Sequence, residues 1–74
     1  MTPRQYQAAR HELQWTNAQV AKALCKTERT IYRWLEIDDF DPMAARLIRL
    51  LVRLRMSLSD NKFNQIIEEI EKEW

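Results

Sequence analysis

Seventy-four residues with no glycine, two prolines and one cysteine fit one all-α domain and exclude an internal disulfide, while one histidine beside one cysteine offers no metal-ligand spacing. A net charge of +1 excludes a uniformly acidic or basic surface but not a divided one. No apolar run nears the ~20 residues that cross a bilayer, and Met-Thr-Pro-Arg-Gln lacks a secretion signal's apolar segment, so a cytosolic protein without membrane contact is expected.

Thr2-Pro3-Arg4-Gln5 combines an N-cap threonine, a proline at the first helical position and a glutamine able to reach back to the cap. It predicts α1 over about residues 3–13, with Tyr6, Ala9 and Leu13 as the apolar stripe. Thr16-Asn17-Ala18-Gln19 repeats the capping pattern and opens α2, about 17–24, on Val20, Ala21 and Leu24. Thr27 caps α3, about 28–36, in which Ile31, Trp34 and Leu35 share one face and Glu28, Arg29, Tyr32 and Arg33 project elsewhere. Asp41-Pro42 opens α4, which runs to about Met56. Its Met43, Leu47, Leu50, Leu51, Leu54 and Leu58 lie on one arc and Ile48, Val52 and Met56 on another, more apolar surface than a one-sided helix needs. Arg46, Arg49 and Arg53 form a narrow basic stripe between them, read as a wet face in preference to a supplement to phosphate contacts. Asp60 or Ser59 caps α5, with Phe63, Ile66, Ile67, Ile70 and Trp74 as a stripe opposite Glu68, Glu69 and Lys72. The whole chain, 1–74, is expected to be one compact five-helix domain.

Charge alternates along this order. Residues 1–35 carry Arg4, Arg10, Lys22, Lys26, Arg29 and Arg33 against Glu12 and Glu28, while residues 36–41, EIDDFD, carry four acids. Arg46, Arg49, Arg53 and Arg55 follow without an acid, and the C-terminal segment is acidic again. A polyanion would therefore meet one face of the molecule.

The stretch TNAQVAKALCKTERTIYRW has a small residue, Ala21, where two short helices cross. Cys25 stands at the turn, and Ile31 and Trp34 sit at the buried positions of the second helix. With YQAARHELQW before it and PMAARLIRLL after it, roughly residues 2–56, it resembles the helix-turn-helix domains of the lambda Cro and repressor type, also called XRE-like. In that family the turn residue is usually glycine, so Cys25 is expected in a left-handed conformation as a small buried turn residue. Relatives often place a Glu after the position of Trp34 to pair with an Arg of α1. Here that position is Leu35, which leaves Arg10 to pair with Glu36 or to meet a phosphate.

The resemblance implies double-stranded DNA as partner, with α3 in the major groove. Thr27, Glu28, Arg29, Tyr32 and Arg33 are then the candidate base contacts, since arginine matches guanine O6 and N7 and a carboxylate accepts from a cytosine amine. Asn17, Gln19, Lys26 and Arg10 are the candidate phosphate contacts, Asn17 and Gln19 being equally compatible with capping. Leu51, Leu54, Phe63, Ile66, Ile67, Ile70 and Trp74 are the candidate homodimer surface, although α5 can also fold back on its own α4. Small regulators of this type serve phage, plasmid, toxin-antitoxin and anti-CRISPR operons, commonly as autorepressors. No Cys-His or Ser-His pair shares a predicted face, and no glycine loop is available for a phosphate. No catalysis, metal, cofactor or small-molecule ligand is therefore expected. The competing expectation is a protein-interaction module on the same scaffold, using its acidic loop and C-terminal helix.

Overall fold

The computed structural model describes residues 1–72. Five helices follow one another as α1 (Pro3–Leu13), α2 (Asn17–Ala23), α3 (Glu28–Glu36), α4 (Pro42–Ser57) and α5 (Asp60–Lys72), within a residue of the expected bounds at nearly every end. Side-chain caps explain why. Thr2 accepts from the Gln5 N–H at 3.2 Å while Gln5 accepts from the Thr2 N–H at 2.9 Å, and Thr16 and Gln19 repeat the exchange at 3.2 and 2.8 Å. Thr27 accepts from Thr30, and Asp41 from Ala44. Ser59, not Asp60, caps α5 through the Lys62 N–H at 3.4 Å. Each such cap stabilises its helix by about 1 kcal/mol.

The exits are as regular as the entries, and they manage without glycine. Gln14, Cys25 and Asp38 each take a left-handed conformation, with φ of 58°, 57° and 53°. At all three exits two backbone N–H groups turn back onto carbonyls of the helix just ended. Gln14 and Trp15 bond to His11 and Arg10, Cys25 and Lys26 to Lys22 and Ala21, and Asp38 and Asp39 to Leu35 and Trp34. This paired pattern satisfies carbonyls that the helix end leaves open. A non-glycine residue there costs roughly 1 kcal/mol. Cys25 is exposed, contrary to the buried side chain expected for it, so its removal forfeits little packing. Cys25→Gly is expected to raise stability in urea melts by up to about 1 kcal/mol, reduced by the greater freedom of the unfolded chain. Lower stability in the variant would contradict the turn geometry.

Small residues set the crossings. Ala21 is buried where α3 lies against α2, and Ala44 and Ala45 are buried on α4, the helix that packs along α1. Tyr6, Leu13, Val20, Ile31, Ile48 and Phe63 fill the space between. Phe40 corrects the reading of residues 36–41 as an acidic loop alone. It is buried, its ring 5.4 Å from that of Tyr6 and 5.0 Å from that of Trp34, and it draws the segment between α3 and α4 into the core.

The C-terminal helix folds back on its own chain. Phe63 is fully buried, 5.9 Å from the Trp15 ring, and the Arg55 guanidinium lies 5.7 Å over its face. Arg55 also donates to the Glu12 carbonyl at 2.9 Å and pairs with Asp60 at 3.1 Å, joining α1, α4 and α5. Of the candidate dimer residues, Phe63 is therefore closed off inside its own subunit, and Leu51, Leu54 and Ile67 are partly buried against the same core. Ile66 is half-buried and Ile70 exposed. Trp74 lies outside the described residues. The long apolar arc expected on α4 is split: Leu51, Leu54 and Leu58 pack inward, whereas Met43, Leu47 and Leu50 face outward beside Arg46.

Candidate nucleic-acid interface

The α3 helix owes its rotation to one wholly buried residue and two half-buried ones. Ile31 is fully buried, Trp34 and Leu35 pack partly against the core, and Ala21 permits the close approach of α2. Thr27, Glu28, Arg29, Tyr32 and Arg33 are consequently all exposed. Arg29 and Arg33 are one turn apart, with Tyr32 between them on the same side. Among the described residues the ion pairs are Lys22 with Glu71 at 3.6 Å and Arg55 with Asp60. Neither arginine of α3 is engaged by an acid among these residues, and Lys26 at the turn is exposed and likewise without an ion pair among them. Glu28 lies in the first turn, where its charge also favours the helix dipole.

The other three candidate phosphate contacts have intramolecular partners. Arg10 does not pair with Glu36. Its guanidinium donates to the Trp15 carbonyl at 2.9 Å and to Gln7 at 2.9 and 3.2 Å, holding the turn between α1 and α2. Gln19 accepts the Thr16 N–H as part of its capping box. Asn17 accepts from the Tyr6 hydroxyl at 2.6 Å and donates to the Tyr32 hydroxyl at 3.5 Å. The sequence read Asn17 only through its place at the start of α2. Nothing periodic links it to Tyr6, eleven positions earlier, or to Tyr32 on the next helix.

These three helices are also what a comparison with known proteins detects. Residues 3–37 match the family model of the homeodomain-like domain. The match covers a little under half of the chain and supports a helix-turn-helix over α1 to α3. The matched segment ends just past α3, leaving α4 and α5 outside it. No curated protein and no solved structure matches the chain. No described helix is long and apolar enough to cross a membrane.

Beneath the helix-turn-helix, burial pushes the Tyr6 phenol up from 10.0 to about 12, opposed by the nearby Arg10 charge. The fold thus holds the neutral form, and its contribution is complete below pH 10 and lost as pH rises toward 12. Wild type is expected to lose about 2 kcal/mol relative to Tyr6→Phe across that window, measured by chemical denaturation at fixed pH. Parallel pH curves for the two proteins would place the phenol in water.

Proposed function

We propose that the protein is a sequence-specific double-stranded DNA-binding transcriptional regulator of the lambda Cro and repressor type. In this reading it is a cytoplasmic repressor that shuts off its own operon by occupying an operator, as small regulators of phage, plasmid, toxin-antitoxin or anti-CRISPR operons do. The observation that carries the reading is the pair Arg29 and Arg33, exposed and without an acidic partner among the described residues, on the outward face of a helix whose inward face is fixed by Ile31. Two free guanidinium forks one turn apart suit the guanine edge in the major groove. Occupancy needs no catalytic group, cofactor or small-molecule ligand.

The operator would be an inverted repeat read by a homodimer, which sets two copies of α3 about 34 Å apart in successive major grooves. Exposed apolar residues support self-association: Met43, Leu47 and Leu50 on α4, and Ile70 on α5. Selection of binding sites from random duplex DNA tests recognition and symmetry together. An enriched palindrome, with sedimentation as a dimer that Leu47→Asp or Ile70→Asp disrupts, is the expected outcome. A monomer bound to an asymmetric site would remove the dimer and keep the reading helix, and no enrichment at all would remove the DNA-binding role.

One feature favours a second reading, a protein-interaction module. Ile37 is 57% exposed beside the exposed Glu36, Asp38 and Asp39, an apolar residue ringed by acids that suits a basic protein partner. Salt-sensitive binding to such a partner without any binding to duplex DNA would decide for it.

A further inference from the structure

Building on the DNA-binding role proposed above, we infer that Asn17 is a positioning residue that holds Tyr32 as a hydrogen-bond donor toward DNA, its hydroxyl proton directed at an acceptor on the duplex. The inference rests on the direction of a chain of bonds running from core to surface. Tyr6 is fully buried, and its hydroxyl lies 2.6 Å from Asn17 Oδ1. A buried hydroxyl gives its proton to an acceptor, and Asn17 Oδ1 is the one the fold supplies. The phenol keeps that proton well above neutral pH because burial disfavours the phenolate.

This bond settles which way the Asn17 amide faces. Its oxygen is turned inward to Tyr6, and its nitrogen is left on the side of α3, facing the Tyr32 hydroxyl at 3.5 Å, longer than the usual ~2.7–3.2 Å and so a weak contact. An amide nitrogen only donates, so the Tyr32 oxygen accepts. The Tyr32 proton is then unspent among the described residues. Tyr32 is 49% exposed and stands on the same face as Arg29 and Arg33. Its proton fits a hydrogen-bond acceptor: a phosphate oxygen, or an acceptor atom on a base edge in the major groove such as guanine N7 or thymine O4. Without the Tyr6 hydroxyl the amide could flip, and Tyr32 would lose its assigned direction.

The test is a double-mutant cycle on DNA affinity, using wild type, Tyr6→Phe, Tyr32→Phe and the double variant against the duplex selected from random DNA, with folding checked by circular dichroism. Tyr32→Phe is expected to weaken binding roughly 3- to 10-fold, the scale of one hydrogen bond. The double variant should bind like Tyr32→Phe alone, because the two hydroxyls act through one contact. Asn17→Ala, which leaves both tyrosines in place, should reproduce the loss and serves if Tyr6→Phe does not fold. A loss of the same size on unrelated duplexes identifies a phosphate acceptor, and a loss confined to the selected site identifies a base. Tyr32→Phe binding as tightly as wild type, or losses that multiply in the double variant, would overturn the inference while DNA binding stands. Wild type failing to bind any duplex would instead overturn the proposed function on which the inference rests.

Discussion

Arg33→Ala is expected to weaken binding to the best duplex site by about 1 to 3 kcal/mol and to relax specificity at one base pair, with Arg29→Ala acting similarly at another position. The size follows from the geometry. Both side chains are exposed, lie on the outward face of α3 and have no acidic partner among the described residues. Neither must therefore break an internal ion pair before meeting a guanine, and neither supports the core, which Ile31, Trp34 and Leu35 contact from the opposite side. The variants should melt as wild type does. Lys26→Ala provides the contrast: a lysine at the turn is a point charge for a phosphate, so its loss should weaken all duplexes alike and flatten the salt slope by about one unit. Fluorescence anisotropy on the selected site and on scrambled duplexes, at several salt concentrations, separates the two patterns. If both arginine variants held the selected site as tightly as wild type, α3 would not be the reading helix.

Phe63→Ala is expected to cost about 3 to 5 kcal/mol of folding free energy, the usual range for a buried phenylalanine. For a domain of this length that is a large part of the total stability. The ring is fully buried, packs beside Trp15 and lies under the Arg55 guanidinium. Removing it opens a cavity where α5 meets the rest of the chain and strips Arg55 of one of its contacts. Ile70→Ala, on the exposed side of the same helix, should change monomer stability by less than about 0.5 kcal/mol. Denaturant melts at low and high protein concentration would show a Phe63→Ala loss that does not depend on concentration. A loss that vanished on dilution would mean that Phe63 is covered by a second copy.

What the sequence determined by itself is the set of helices and the outward face of α3. Both are local properties. Thr2, Thr16, Thr27 and Asp41 cap because a short oxygen-bearing side chain one position before a helix reaches its first N–H groups whatever lies around it. Ile31 and Trp34 likewise fix which side of α3 turns inward, through the period of the helix alone. Cys25 was legible as a left-handed residue from its place in the turn. Gln14 was not, since nothing in its side chain marks the position, and Asp38, although aspartate tolerates this region, is one of three aspartates in the segment, so only the observed bonds of each exit reveal it.

The tertiary structure alone decided which neighbour covers each face. Helical periodicity put Met43, Leu47, Leu51 and Leu54 on one arc, but the packing turned Leu51 and Leu54 toward the core and left Met43 and Leu47 in water. Phe40 stands in an acidic run without period, and only the rings of Tyr6 and Trp34 make it a core residue. Asn17 is the clearest case. As the first residue of α2 it offers an amide to a cap or to a phosphate, and sequence spacing has no means of choosing between them. The choice is made by a hydroxyl on α1 that the fold carries to within 2.6 Å, because a buried donor must find an acceptor and takes the one that packing brings to it.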